Sequence, residues 1–121
     1  MYMAVEESIF KTIKGLLGPD ADYEEFDQDI LIFINSAIAT LTQIGVGPLD
    51  GFRITGDTET WHDFLGDYKD IESVKSYIYM KVRLVFDPPS NSAVMNAYNE
   101  ACKELEWRLN VAMDPSRLGS E

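Results

Sequence analysis

Four features of the chain carry residue types that chemistry needs. The single histidine, His62, lies between Trp61 and Asp63. Nucleophilic catalysis requires a base beside a nucleophile, and a lone imidazole in a loop or short helical turn is a weak basis for it. The single cysteine, Cys102, falls in a strongly helical pattern and reads as a small buried apolar side chain that cannot form an intramolecular disulfide. Zinc needs several His or Cys ligands, so one of each, far apart in sequence, excludes a zinc site. Asp57, Glu59, Asp63, Asp67 and Asp70 offer oxygen ligands for a hard cation but lack the spacing of an EF-hand, and the same carboxylates suit solvated charges and helix caps. Gly45-Val46-Gly47-Pro48 has no following Lys-Ser or Lys-Thr and no preceding strand, so it turns the chain instead of cradling a phosphate. These residues predict no enzyme, no cofactor and no metal.

The formal charge is −11 over 121 residues. Binding nucleic acid through its phosphates needs clustered Lys and Arg, so this balance argues against a conventional DNA-binding domain. Excess carboxylates either keep a small protein soluble or form a surface that must not hold DNA. An apolar fraction of 45% is ordinary for one packed domain. The apolar runs are short of the roughly 20 residues that cross a bilayer, and no charged segment leads into an apolar signal core, so no membrane is expected.

The elements that would position any contact follow from apolar periodicity. Val5, Ile9, Ile13, Leu16 and Leu17 define a first helix that stops at Gly18-Pro19. Asp22 with Glu25 has the spacing of a capping box for a second helix, which reaches about Ile44. Its stripe is Phe26, Ile30, Phe33, Ile34, Ala37, Ile38, Leu41 and Ile44; Asn35, Ser36, Gln28 and Gln43 occupy the far side, where Ile32 is out of place. Residues 45–60 lose the helical period, and Phe52-Arg53-Ile54-Thr55 alternates as a strand would, predicting a long contact loop or a small β-hairpin. Trp61, Phe64 and Leu65 suit one short helical turn.

Asp70 is placed to cap a third long helix, with Ile71, Val74, Ile78, Val82, Val85 and Phe86 as its main stripe and Asp87-Pro88-Pro89 as its stop. Tyr77, Met80 and Leu84 form a second apolar strip, leaving a narrow polar side around Glu72, Ser76, Tyr79 and Arg83, so this helix must be covered twice. Ser90 or Ser92 can cap a last helix with Val94, Tyr98, Ala101, Leu105, Leu109 and Ala112 inward and Trp107 and Val111 elsewhere. The expectation is all-α: one domain over residues 1–121, a compact bundle of four main helices, with residues 114–121 as a C-terminal tail. The apolar residues that one bundle cannot easily use, Ile32, Tyr77, Met80, Leu84, Trp107 and Val111, point to an interface, joined in the loop by Phe52 and Ile54.

Several stretches resemble head-to-tail connector proteins of tailed bacteriophages: Ile34-Asn35-Ser36-Ala37, Gln43-Ile44-Gly45-Val46-Gly47-Pro48, Trp61-His62-Asp63-Phe64-Leu65-Gly66-Asp67, the run from Ser73-Val74-Lys75 through Phe86-Asp87-Pro88-Pro89, and Glu104-Leu105-Glu106-Trp107-Arg108-Leu109-Asn110. The resemblance implies a virion adaptor in the neck, assembled in the host cytoplasm. It implies a homo-oligomeric ring of about twelve subunits, docked between the portal protein and the next connector, stopper or tail protein. Genomic DNA would pass through the centre without sequence-specific binding, eased by an acidic lining. The alternative from another class is a soluble acidic binding protein acting as a DNA mimic, which needs carboxylates arrayed on one face.

Overall fold

In the computed structural model, which describes residues 7–113, the helices are α1 (Ile9–Leu17), α2 (Asp27–Gln43), α3 (Trp61–Leu65), α4 (Ile71–Phe86) and α5 (Ser92–Met113). Two 3-10 turns, Pro19–Ala21 and Glu24–Phe26, join α1 to α2. The all-α expectation holds, with four main helices and one short turn of helix. Val5, expected in the stripe of the first helix, and the expected tail of residues 114–121 lie outside the described residues.

The helix ends follow local chemistry. Gly18 closes α1 at φ +89, a conformation that costs a residue with Cβ more than it costs glycine. Asp70 caps α4 by accepting the Ser73 N–H at 3.3 Å. The predicted Asp22–Glu25 box does not form: Asp22 closes the first 3-10 turn, Glu25 lies inside the second, and α2 begins at Asp27 with Phe26 at its N-cap and no side-chain cap. Asn91 replaces the serines at the start of α5, its Oδ1 accepting from the N–H groups of Ala93 at 2.8 Å and Val94 at 3.2 Å. An Asn side chain reaches those donors as well as Ser does.

One core runs through the molecule, with α4 at its centre. α4 packs on α2, α5 and α1, whereas α5 packs on α4 and on no other helix to a comparable extent. The requirement for two covers is therefore met inside the subunit: α1, α2 and α5 all pack on α4, Ile78 and Val82 are in the core, and Tyr77 meets Glu106 of α5. Some stripe residues stay outside. The buried side of α1 centres on Phe10, Ile13 and Leu17, which turns Leu16 outward. Val85 is 59% exposed because Phe86 makes the last contact of α4, edge-on to Phe26 at 5.5 Å. Val94 and Ala112 are exposed, and Cys102, unassigned by the stripe, is buried in α5 beside Leu109.

Candidate contact surfaces

The carboxylates around α3 hold the chain's own backbone and cations. Thr60 and Asp63 form a reciprocal capping box, Asp63 N–H donating to Thr60 Oγ1 at 3.1 Å and Thr60 N–H to Asp63 Oδ2 at 2.9 Å. Asp57 lies 3.9 Å from Lys11, and Asp67 lies 3.8 Å from the His62 ring, all four exposed. Glu59 accepts from both the N–H and the hydroxyl of Thr55. Burial pushes the Glu59 carboxyl up, but these bonds from Thr55 and nearby backbone outweigh it and hold the group below its ordinary value. Among the described residues no three His, Cys, Asp or Glu side chains converge as metal ligands, and no helix is long and apolar enough to cross a membrane.

The loop of residues 45–60 forms no hairpin. Phe52-Arg53-Ile54 takes no regular secondary structure, Thr55 begins a bend, and no strand pairs with them. Asn35 of α2 substitutes for a partner strand: its Oδ1 accepts the Ile54 N–H at 2.8 Å and its Nδ2 donates to the Ile54 carbonyl at 2.9 Å. Ile54 is thereby drawn into the core. Phe52, half-buried, stacks on Phe64 at 5.0 Å. The far end of the loop is tied to the start of α1 by an isolated antiparallel bridge between Ser8 and Thr60, with Ile9 N–H to Glu59 O at 3.0 Å and Trp61 N–H to Glu7 O at 3.1 Å.

Periodicity assigns Asn35 to a solvated polar side and does not reveal this clamp. The only signal in the sequence is a single amide at the edge of an apolar stripe, together with a loop rich in β-branched and aromatic residues. Replacing Asn35 with alanine should cost about 1 to 3 kcal/mol, since it strands a buried N–H and carbonyl. Urea unfolding measures the loss, and the Ile54 amide should exchange with solvent much faster; an unchanged exchange rate would refute the clamp.

Tyr77, expected at the interface, is wholly inside the subunit. Periodicity registers a second apolar face on α4 but not its cover, which is α5. The phenol donates to Glu106 Oε2 at 2.6 Å. Burial first, and then the Glu106 carboxylate, push the Tyr77 hydroxyl far above its ordinary value near 10. An unfolded tyrosine ionises from about pH 10 while the folded one keeps its proton, so this contribution is complete below that pH and is lost as pH rises beyond it. Tyr77→Phe should therefore flatten the fall in urea midpoint between about pH 9 and about pH 11 relative to the parent. Identical slopes would contradict the assignment.

Ile54 and Tyr77, two of the expected contact residues, are buried within the subunit. Phe52, Met80 and Leu84 are half-buried against the core. Ile32 and Trp107 are the exposed members, at 55% and 67%, and Val111 is half-buried one turn beyond Trp107. Cys102 is buried, and that burial pushes its thiol up, so it is no poised nucleophile.

The described residues thus define a helical protein with exposed apolar side chains, Ile32 and Trp107 among them, on its outer helix faces. The family model described as phage connector protein matches residues 9–116. The chain belongs to the phage connector protein family, structural and in general non-enzymatic parts that join phage head and tail. No curated protein and no solved structure matches it.

Proposed function

We propose that copies of this chain form a ring in the phage neck, between the portal protein and the next connector, stopper or tail protein, with the genome passing through its centre. The observation that carries this reading is the family match across residues 9–116. Two features support it. Exposed apolar side chains sit on outer helix faces, Ile32 on α2 and Trp107 on α5, as residues kept for a partner would. The charge of −11 suits a passage that repels phosphates, since a basic lining would hold the duplex by counterion release. The carboxylates near α3 serve caps and local pairs, not the open array on one face that a DNA mimic needs.

Mixing the protein with purified portal and imaging by electron microscopy tests the role. A ring stacked coaxially on the portal is the expected outcome; absence of binding to portals or filled heads would sink it. Trp107→Ala should weaken this assembly while leaving the helical circular dichroism spectrum intact, and a loss of helicity would instead make Trp107 a core residue.

A further inference from the structure

Residues 30–49 are twenty consecutive positions without a charged side chain, in a chain that is 26% charged. Most of that stretch is α2, which buries one side and leaves Ile32, Ser36, Ala39 and Gln43 exposed in a single row on the other. The loop runs beside this row, where a Cβ on Gly51 would lie 4.0 Å from the Thr42 methyl. Between them is an open groove of about 380 Å³ lined by Ala39, Thr42, Gly51 and Phe52, with Asp50 and Arg53 as the charged members of its lining. Those two charges cancel. An uncharged, solvent-facing strip on a strongly acidic protein is unexplained by solubility, whereas charge depletion is what the centre of a protein interface shows.

A second apolar feature lies outside this groove, on α5. Trp107 points away from the buried side of α5 that carries Cys102 and Leu109. Around Trp107 the charges are paired locally, Lys103 with Glu100 at 3.7 Å and Arg108 with Glu104 at 2.8 Å.

We propose that these faces are the two halves of one head-to-tail contact, in which Trp107 of one copy enters the groove between α2 and the loop of the next. Charge selects a second copy as the occupant. Two chains of −11 repel, and a contact between faces whose charges are balanced locally, as both of these are, adds nothing to that repulsion. A basic partner would instead be drawn to exposed carboxylates such as Asp22, Glu24 and Glu25. The ring role calls for this contact to be heterologous, passing from copy to copy, where a two-fold dimer would use the same pair of patches twice. The small side chains of Ala39 and Gly51 leave the room an indole needs. The inference rests on the ring-forming role and names the surfaces that would make it.

The test uses full-length Trp107→Cys and Ala39→Cys variants, both at exposed positions, mixed and treated with a short bis-maleimide cross-linker. Buried Cys102 sets the background, measured on the parent chain. The mixed pair should give a covalent dimer that neither variant gives alone, and introducing Gln43→Glu into the Ala39→Cys chain should abolish it. Cross-linking of either variant to itself at equal yield, or no mixed product at high concentration and on the portal, overturns the contact. The two proposals fail separately. A mixed dimer without portal binding keeps the contact and removes the connector role, while a ring imaged on the portal without this cross-link does the reverse.

Discussion

Trp61→Ala is expected to destabilise the protein by about 3 to 5 kcal/mol, the range for removing a buried large aromatic side chain. Trp61 is 0% exposed, and its Nε1 donates to Thr12 Oγ1 at 3.1 Å, so the change opens a cavity and leaves a hydroxyl short of a partner. The indole ring joins α3 to α1 through Thr12, so its loss acts on both elements, while the backbone bond from Trp61 N–H to Glu7 O is kept by alanine. For a domain whose total stability is about 5 to 15 kcal/mol, this takes a large share. Urea and thermal unfolding measure it directly. Trp107→Ala should by contrast stay within about 0.5 kcal/mol of the parent. Fluorescence separates the two: Trp107→Phe should leave a blue-shifted emission that acrylamide barely quenches, and Trp61→Phe an accessible one. Equal quenching in both variants would show that the burial assignment is wrong.

Gly47→Ala is expected to be the most damaging single-methyl change, costing about 2 to 4 kcal/mol from two sources. The backbone there has φ +87, which favours glycine, and an added Cβ would lie 2.5 Å from Phe64 Cε1. The ring cannot simply withdraw, because Phe64 is buried and stacked on Phe52. Shortening the obstacle should separate the two sources. Gly47→Ala with Phe64→Leu should be less destabilised than the sum of the single changes, since the clash is shared, while the backbone cost remains. Strict additivity, measured by urea unfolding of all four proteins, would mean that the contact with Phe64 carries no part of the effect. Gly15, with nothing within 4 Å of where a methyl would sit and no positive φ, should accept alanine readily.

Both changes fall in the connection from α2 to α4, which holds the groove in place. Val46, Ile54, Trp61 and Phe64 anchor it in the core, and Asn35 fixes its middle. A loop held this firmly can present Phe52 and Arg53 at a constant position beside α2, whereas a mobile one would have to be ordered on binding at an entropic cost.

The number and placement of the long helices, and where they stop, can be read from the order of residues without any knowledge of the fold. Apolar residues repeating near 3.6 positions mark a buried side whatever covers it, and Gly18-Pro19 and Asp87-Pro88-Pro89 break a helix through local sterics. The double apolar face of α4 is equally legible, as are the cap at Asp70 and the misplacement of Ile32 and Trp107 relative to their stripes. What lies against each face is a matter of tertiary contacts. Tyr77 and Trp107 are both aromatic residues off a main stripe, yet one meets Glu106 across a helix pair and the other meets water. The same contacts select which capping motif forms, because Thr60–Asp63 meets a helix start and Asp22–Glu25 meets two 3-10 turns. The strand-like alternation of residues 52–55 becomes a strap clasped by Asn35, since a side-chain amide on α2 supplies the donor and acceptor a strand would have supplied. Periodicity encodes that a face must be covered, but the partner that covers it is set by contacts between residues far apart in the chain.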